Sequence, residues 1–389
     1  MFHVELCCRR LPSPLDSIQA ELNEIDARGL RRQLRPVLGA QAAEIALATG
    51  TVINFSSNNY LGLADSELLR DAASRAMAEY GFGAGASRLI VGNLTPHRAL
   101  EARIAAWKST EAALLFNSGY HANVGVVSAL AGPEDVIFSD ALNHASLIDG
   151  CRLSRARTIV FPHRDLAALE AALVREPGRR RLILSDTIFS MDGDRADVPA
   201  LAALARKYEA LLVVDEAHEI GVHEGDVAVD LRIGTLGKAL GSFGAYAAGA
   251  RPLIDLLLHR ARSFVFTTAL PAPVVAASHA AIDWIETAAG RERCAQLADN
   301  CRYFHERRRH SLDGPPSHIV PILVRDGDPR RALAACDALL ERGIFAQAIR
   351  PPTVPAGTSR LRFSIMATHS HAHLDRALAA LDELRDQFA

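Results

Sequence analysis

The sequence has few cysteines and tryptophans and lacks a long apolar run. Its 389 residues include 6 cysteines and 2 tryptophans. The cysteines are adjacent or far apart, and none has the CxxC spacing that is typical of a metal site or a redox pair. No stretch approaches the ~20 apolar residues of a membrane span, and the first residues lack the apolar core of a signal peptide. We therefore expect a soluble cytoplasmic protein with no membrane partner.

An excess of charge of one sign is also lacking. Lys and Arg total 43 against 45 for Asp and Glu, which gives a formal net charge of −2. This balance gives no electrostatic footprint for nucleic acid. Hydrophobic residues make up 49% of the chain, so a disordered chain is excluded. The length predicts two or three structural units, and we expect the ligands to bind in pockets.

Apolar runs alternate with helical patterns in the middle of the chain. The runs predict buried strands at residues 112–116, 135–138, 158–161, 181–185 and 211–214. Helical periodicity lies between them, at 165–175 and 199–208. The alternation predicts an α/β fold with a mostly parallel sheet and helices on both faces. Ligands of such sheets bind beyond the carboxyl ends of the strands.

The flanking regions predict how the chain divides. Helices are predicted at 15–34, 273–289 and 291–311, and a strand at 51–55. Pro271 and Pro273 mark the expected domain junction. We predict an N-terminal helical segment at 1–50, a large domain at 51–270 and a smaller α+β C-terminal domain at 271–389.

A carboxylate and a lysine indicate pyridoxal phosphate chemistry. Asp215 follows the run at 211–214, and Lys238 lies 23 residues later (238 − 215) in a glycine-flanked turn. A lysine forms the Schiff base of this cofactor, and a carboxylate keeps the pyridine nitrogen protonated so that the ring acts as an electron sink. Taken singly, each residue is more often an ordinary turn or surface residue.

Three more segments favour the same site. Gly119 and Tyr120 open a helix after the strand at 112–116, where backbone amides can hold a phosphate. His144 follows the next strand and could stack on the cofactor ring, and Ser190 could hydrogen-bond its phenolic edge. On its own, the segment of Gly119 and Tyr120 is more often an ordinary strand-to-helix turn, and His144 and Ser190 are equally ordinary turn residues. All of them nevertheless follow apolar runs, on the side of the sheet where ligands bind.

Six ordered segments resemble the motifs of one enzyme family. They are SSNNYLGL at 56–63, GASR at 85–88, NHAS at 143–146, FSMDGD at 189–194, DEAH at 215–218 and GTLGK at 234–238. In this order they resemble the α-oxoamine synthases, which are pyridoxal-phosphate enzymes of the aspartate aminotransferase fold type (fold type I). The resemblance spans nearly the whole chain and implies a homodimer with shared active sites.

The resemblance implies a role for each matching residue. The implied catalytic residues are Lys238, His144, Asp215 and His218. The implied cofactor-binding residues are Gly119, Tyr120, His144, Ser190, Asp215, His218, Thr235 and Lys238, with Thr267 and Thr268 reaching the phosphate of the other subunit. The implied substrate-binding residues are Arg31 for the acyl substrate, His144, Thr353 in the substrate pocket and Arg362 for the amino-acid carboxylate.

The two arginines near the C-terminus can be judged from their spacing. Arg360 and Arg362 alternate with apolar residues, so a strand places both guanidinium groups on one face. A guanidinium matches a carboxylate bidentately, which suits amino-acid binding. A strand face turned to solvent is the alternative.

Residues 349–362 resemble the version of the C-terminal motif found in one branch of the family. That branch condenses L-alanine with a pimeloyl thioester of coenzyme A or an acyl carrier protein and releases carbon dioxide. A family member that uses glycine or serine with another acyl thioester is the alternative enzyme. The non-enzymatic alternative is a catalytically inactive partner subunit.

One segment departs from the family pattern. The loop at 219–226 looks shorter than the glycine-rich loop usual in the family. We expect the change to affect acyl-chain selection, dimer packing or activity. Glu219, if close to His218, is expected to raise the basicity of that imidazole.

Overall fold

The structure is a computed structural model that describes residues 13–222, 227–308 and 316–388. Its strands are β1 Glu44–Leu47, β2 Gly50–Asn54, β3 Ala112–Phe116, β4 Val136–Asp140, β5 Arg157–Phe161, β6 Arg181–Asp186, β7 Leu211–Asp215, β8 Leu231–Thr235, β9 Ala245–Gly249, β10 Ile319–Leu323, β11 Ile344–Phe345, β12 Gln347–Ile349 and β13 Arg360–Ser364. Its helices are α1 Pro14–Ala27, α2 Glu67–Tyr80, α3 Thr95–Trp107, α4 Gly119–Leu130, α5 Ala145–Ser154, α6 Leu166–Arg175, α7 Val198–Lys207, α8 Arg251–Arg260, α9 Arg262–Val265, α10 Ala272–Ile285, α11 Ala288–Arg307, α12 Pro329–Glu341 and α13 His371–Glu383.

Seven strands form the central sheet in the order β3-β9-β8-β7-β6-β4-β5. Strands β4 to β8 run parallel to one another, and β9 is antiparallel to both of its neighbours. All five strands predicted from the apolar runs are present, and four of them are buried, as continuous apolar runs require. The predicted burial of the strand at 158–161 is wrong, because β5 is an edge strand and Val160 is 62% exposed. The predicted α/β fold with a mostly parallel sheet is confirmed as well.

Helices cover both faces of this sheet. Leu184 of β6 packs in one apolar cluster with Val126 of α4, and its neighbour Ile183 packs in another cluster with Leu169 of α6. Successive strand side chains point to opposite faces, so a single strand contributes to both clusters. Among the described residues, no helix combines the length and the apolar character needed to cross a membrane.

Two small sheets join the ends of the chain. Strand β13 lies between β10 and β12 in an antiparallel sheet, and β2 lies between β1 and β11. The strand predicted at 51–55 therefore pairs with C-terminal residues, in parallel register with Ile344 and Phe345. The predicted division at 1–50, 51–270 and 271–389 stays a prediction.

The predicted helices are confirmed with one exception. The patterns at 273–289 and 291–311 correspond to α10 and α11, although residues 309–311 lie outside the described chain. The helix predicted at 15–34 is wrong in extent, because α1 ends at Ala27. Gly29 follows with a φ of +67°, a conformation that ends a helix and that glycine adopts without strain.

Candidate active site

Lys238 lies in the turn after β8, and its amine faces His218. The Nζ atom is 2.7 Å from His218 Nε2. The turn packs closely, since a Cβ on Gly241, whose φ is +65°, would lie 2.5 Å from the backbone nitrogen of Ala64. Burial lowers the pKa of Lys238 to about 8, against the opposing effect of Asp215. The amine is therefore fixed in place and loses its proton readily near neutral pH.

His218 connects Lys238 to Tyr60. Its Nδ1 is 2.7 Å from Tyr60 Oη, and that hydroxyl donates to Asn58 Oδ1 at 2.9 Å. Burial and then the charge of Lys238 hold the pKa of His218 well below its usual value. The ring is therefore neutral, with Nε2 accepting from the lysine and Nδ1 donating to Tyr60. This chain of hydrogen bonds orients the lysine amine.

Asp215, at the end of β7, is 5% exposed and held on both oxygens. Oδ2 accepts from Asn123 Nδ2 at 2.6 Å, and Oδ1 accepts from the backbone nitrogen of Ala217 at 2.9 Å. Asn123 also donates to Ser146 at 2.8 Å. Its own buried Oδ1 has no partner among the described residues. Such an acceptor is costly unless a ligand supplies a donor.

A second buried carboxylate, Asp186, lies beside Asp215 in the register of β6 and β7. Burial and then the charge of Asp215 raise the pKa of Asp186 well above its usual value. Asp186 Oδ2 accepts from the backbone nitrogen of His144 at 2.7 Å. Asp186 thus fixes the turn that presents His144, while its raised pKa limits the negative charge buried next to Asp215.

His144 is the N-cap of α5, and its ring lies near enough to Asp215 and Lys238 for their charges to affect its pKa. The space between these three side chains is the cleft. The Nδ1 atom of His144 accepts from the backbone nitrogen of Ser146 at 3.3 Å and lies 2.7 Å from the hydroxyl of the same residue. Partial desolvation in the cleft lowers the pKa of His144. The ring is therefore neutral at pH 7, and its Nε2–H is left to donate to a ligand.

The predicted phosphate-binding residues lie around the start of α4. The ends of β3 and β8 flank β9, because Phe116 and Thr235 both pair with Ala245. A Cβ on Gly119 would meet nothing within 4 Å, which leaves space at the first turn of the helix. Tyr120, which is half exposed, donates to Asp149 at 2.9 Å. An open helix N-terminus of this kind suits a phosphate.

Thr267 and Thr268 lie beside the same helix start within this chain. Asn117 Nδ2 donates to Thr267 Oγ1 at 3.0 Å and to the carbonyl of Thr268 at 2.9 Å. Thr235 Oγ1 donates to the carbonyl of Gly244 at 3.1 Å. The three threonines therefore surround the end of the sheet where α4 begins, and their contact with a phosphate stays a prediction.

The two arginines of β13 are both buried, so the solvent-facing alternative is wrong. Arg360 pairs with Asp192. Arg362 donates to the carbonyl of Ser190 at 2.6 Å, to Asn58 Oδ1 at 3.1 Å and to Tyr60 Oη at 3.3 Å. Arg362 thus joins the hydrogen-bond network of His218 and Lys238, whereas the charge of Arg360 is already neutralised.

The predicted acyl-binding residues lie on the surface of the protein. Arg31, Arg32 and Thr353 are all exposed. Arg32 Nη2, rather than the side chain of Arg31, donates to Thr353 Oγ1, at 3.2 Å. The carbonyl of Arg31 accepts from Arg350 at 3.3 Å. The helix that was predicted to carry Arg31 ends earlier, so these arginines lie on an extended segment.

Four residues of the site were not predicted from the sequence. They are Asn58, Tyr60, Asn123 and Asp186. Asn58 and Tyr60 belong to the SSNNYLGL segment, and Asn123 lies one helical turn after Gly119, so these three lay inside recognised motifs. Asp186 directly follows the predicted strand at 181–185 and is the last residue of β6. Its position at a strand end was the available signal.

The expectation that Glu219 raises the basicity of His218 is conditional on a close approach of the two residues and stays a prediction. Burial and the charge of Lys238 lower the pKa of His218, and Glu219 lines a cavity of about 480 Å³ with Glu216, Lys108 and Arg232. Burial and then the charge of Glu216 raise the pKa of Glu219 to about 7. Of the loop predicted to be shortened, residues 223–226 lie outside the described chain.

The residues of the cleft fit pyridoxal phosphate. Asp215 offers a buried carboxylate to a pyridinium nitrogen, Lys238 offers an amine with a lowered pKa, and Gly119 leaves space at a helix N-terminus. The unpartnered Oδ1 of Asn123 beside Asp215 shows that this polar pocket is incomplete without a ligand. These groups meet the three polar demands of the cofactor: its ring nitrogen, its aldehyde and its phosphate.

Comparison with known proteins agrees with this geometry. Residues 50–381 match the family model of class I and II aminotransferases. The chain is 48% identical over 380 residues to the 8-amino-7-oxononanoate synthase of Geobacter sulfurreducens, covering 94% of this chain and 97% of that protein. Its fold is similar to that of an S. paucimobilis serine palmitoyltransferase solved with a bound PLP–myriocin aldimine. The TM-score is 0.87 and the sequence identity 28%, and the match covers 97% of this chain and 100% of that one. The structure of a Francisella tularensis 8-amino-7-oxononanoate synthase matches with a TM-score of 0.72 and 26% identity, over 86% of this chain and 98% of that one.

Proposed function

The chain belongs to the family of class I and II aminotransferases, and from its 48% identity to the Geobacter sulfurreducens 8-amino-7-oxononanoate synthase we propose that it condenses L-alanine with a pimeloyl thioester. The products are 8-amino-7-oxononanoate, the compound that names the Geobacter relative, carbon dioxide and the free thiol carrier. The chain is thus a pyridoxal-phosphate-dependent acyltransferase of biotin biosynthesis. The carrier is coenzyme A or an acyl carrier protein.

The observation that carries the proposal is the environment of Arg362. This guanidinium is 6% exposed, and among the described residues no carboxylate pairs with it. Its neighbour Arg360 pairs with Asp192 instead. A buried cation without a counter-ion is costly, so the carboxylate of an amino acid is the partner that Arg362 lacks. Tyr60 contacts both Arg362 and His218, and His218 contacts Lys238, which supports a carboxylate site close to the lysine amine.

Each polar part of the cofactor has candidate partners. Bound pyridoxal phosphate supplies an electron-withdrawing ring that stabilises negative charge on the α-carbon of the amino acid. Asp215 would hold the proton on the ring nitrogen, and His218 and Ser190 would hydrogen-bond near the phenolic oxygen. His144 would stack on the ring. The first turn of α4, with Gly119, Tyr120 and Thr235, would hold the phosphate.

Other side chains bind the two substrates and transfer the proton. Arg362 fixes the carboxylate of the amino acid. Lys238 removes the α-proton, since a pKa of about 8 allows its amine to lose and regain a proton near neutral pH. His144 donates its Nε2–H to the acyl carbonyl, where negative charge develops as the new C–C bond forms. Thr353 and Arg31 line the route of the acyl chain.

A homodimer with shared sites is part of the proposal. Phe82, Ile90, Val91 and Phe266 are between 70% and 80% exposed. The segments that carry them are joined where the Ala269 nitrogen donates to the Ala86 carbonyl. An exposed apolar patch of this kind is typical of an interface, and here it borders Thr267 and Thr268. A partner that covers it brings these threonines next to a second cleft.

A cytoplasmic location completes the proposal. Cys151, Cys301 and Cys336 are buried thiols, and burial raises the pKa of each of them. Thiols of this kind are unreactive and fit a reducing compartment.

The test is to measure carbon dioxide release from alanine, glycine and serine with thioesters of different acyl length. We expect alanine with a pimeloyl thioester to give the highest kcat/KM. A preference for glycine or serine would assign the chain to another reaction of the same chemistry. Absence of turnover by a protein that still shows the visible absorbance of bound cofactor would make it an inactive partner subunit.

A further inference from the structure

His163, which follows β5, lies between two carboxylates outside the cleft. Its Nδ1 is 2.9 Å from Asp140 Oδ1, and its Nε2 is 2.7 Å from Asp194 Oδ2. A neutral imidazole has a single N–H and can donate to only one of these oxygens. The other ring nitrogen would then direct its lone pair at a carboxylate. The geometry therefore requires both ring nitrogens to carry protons.

The first carboxylate fixes the turn that presents His144. Asp140 ends β4, and its Oδ1 also accepts from the backbone nitrogen of Leu142 at 2.8 Å. Its Oδ2 accepts from the backbone nitrogen of Arg164, also at 2.8 Å. Asp140 thus joins the end of β4 and the loop after β5 at the base of the His144 turn.

The second carboxylate belongs to the hairpin that carries Ser190. The Phe189 nitrogen donates to the Asp194 carbonyl at 3.0 Å, and Ile188 forms a bridge with Arg195. At the tip of this hairpin, the Ser190 carbonyl accepts from Arg362 Nε at 2.6 Å. The position of Asp194 therefore influences the position of the guanidinium that holds the amino-acid carboxylate.

The charges of the cluster balance only when His163 is a cation. Arg164 Nη1 is 3.1 Å from Asp194 Oδ2. The Phe189 ring packs edge-on against the imidazole at 4.3 Å and contributes no charge. Asp140 and Asp194 thus face Arg164 and His163 as two anions and two cations. Loss of the His163 proton leaves a net negative charge and breaks one of the two hydrogen bonds of the ring.

We propose that His163 is a positioning residue that remains an imidazolium during turnover and ties the His144 turn to the Ser190 hairpin. The proposal rests on the proposed function for its effect on catalysis, although the charge of the ring does not depend on that function. The consequence for catalysis is specific: the contact between Ser190 and Arg362 loosens when the His163 proton is lost.

The titration of His163 agrees with this role. Burial opposes a charge on the ring, but the hydrogen bonds to Asp140 and Asp194 outweigh it and raise the pKa of His163 to about 9. Because this pKa is above the ordinary value of about 6.5, the stabilisation is complete below pH 6.5. It is lost as the pH rises through about 9.

The first experiment measures the ring charge directly in the holoenzyme. In protein labelled with ¹³C at histidine Cε1, the resonance that disappears in His163→Gln should titrate near pH 9. In Asp194→Asn, which keeps an acceptor but removes the charge, its midpoint should fall by about one pH unit or more. A wild-type midpoint near 6.5, or one that Asp194→Asn leaves unchanged, would overturn the proposal. If His163→Gln does not fold, the resonance is identified by its loss in His163→Asn instead.

The second experiment separates positioning from stability. At pH 7, His163→Gln should raise KM for alanine about tenfold and change kcat less than about threefold, because Arg362 is displaced while Lys238 is not. His279→Gln is the matched control, since His279 faces a single carboxylate of Asp283 at 3.7 Å on the surface. Equal effects of the two variants, or a fall in kcat with unchanged KM, would contradict the positioning role. Absence of turnover in the wild type would count against the proposed function and leave the ¹³C titration valid.

Discussion

The two ends of the cleft are built differently. At the cofactor end, Asp215 and His218 are 5% and 4% exposed, and hydrogen bonds fix the polar atoms of both side chains. At the acyl end, Arg31, Arg32 and Thr353 are exposed, and one bond at 3.2 Å joins Arg32 to Thr353. Charges interact more strongly where water is excluded. We therefore expect the chemistry to take place at the buried end and the exposed end to affect only the choice of substrate.

The largest effect is expected at Lys238. Lys238→Ala should lower kcat by about a thousandfold or more, because the amine that removes the α-proton is lost. Carbon dioxide release measures this loss. In the wild type, borohydride reduction followed by peptide mapping should place the cofactor on residue 238. Label on another lysine would contradict the assignment and the central role of the buried end.

The next effect is expected at Arg362, where the buried end meets the amino acid. Arg362→Leu should weaken alanine binding about a hundredfold, because a desolvated bidentate pair contributes a few kcal/mol. The visible spectrum of the bound cofactor should not change, and titration with alanine gives the affinity. Arg360→Leu is the matched control and should have a smaller effect, since Arg360 already pairs with Asp192. Equal affinities for the parent and Arg362→Leu would move the carboxylate site to Arg360.

Asp215→Asn should lower turnover by at least about tenfold while the cofactor stays bound. An amide stabilises a protonated ring nitrogen less well than a carboxylate, and a charged hydrogen bond of this type contributes roughly 1.5–3 kcal/mol. Stopped-flow measurement of the change in the cofactor spectrum after mixing with alanine checks the effect. Wild-type turnover would show that Asp215 only shapes the turn after β7.

The smallest effect is expected at the exposed end. Arg32→Gln should raise KM for the acyl thioester by about threefold, because an exposed hydrogen bond is worth about 1 kcal/mol or less. Arg31→Gln is the matched comparison on the neighbouring residue. The amino-acid affinity should be unchanged in both variants. A hundredfold effect of either variant would remove the contrast between the two ends.

The sequence predicted the central sheet well because its strands are apolar on both faces. Residues 112–116 and 211–214, for example, are continuous apolar runs, and buried parallel strands require them. The sequence also predicted β2 at 51–55 but not its pairing, since its partner β11 comes about 290 residues later (344 − 53) and leaves no local signal. The prediction extended the first helix past Ala27, because the helical periodicity outweighed the stop signal of Gly29.

A candidate site residue could be predicted from the sequence when it comes soon after an apolar run. Lys238, Asp215, His144 and Ser190 were all predicted in this way, and their roles stay predictions. Tyr60 was not predicted, because its role depends on three-dimensional contacts with His218 and Arg362, which lie 158 and 302 residues away in sequence. Asn123 acts through Asp215 for the same reason. Hydrogen-bond networks between distant segments follow from the fold, which strand patterns alone do not supply.

The contact between the first and last parts of the chain sets an order of assembly during synthesis. The Ser364 nitrogen donates to the Phe55 carbonyl at 2.7 Å, and the Ala367 nitrogen donates to the Tyr60 carbonyl at 2.8 Å. Translation produces the strands of the seven-stranded sheet well before these donors, and segments that emerge first fold first. A ribosome-bound chain that ends before Arg360 has every strand of that sheet but lacks Ala367, whose backbone nitrogen donates to the Tyr60 carbonyl. We therefore expect a nascent chain to acquire cofactor affinity first and amino-acid affinity only after its C-terminus has been released.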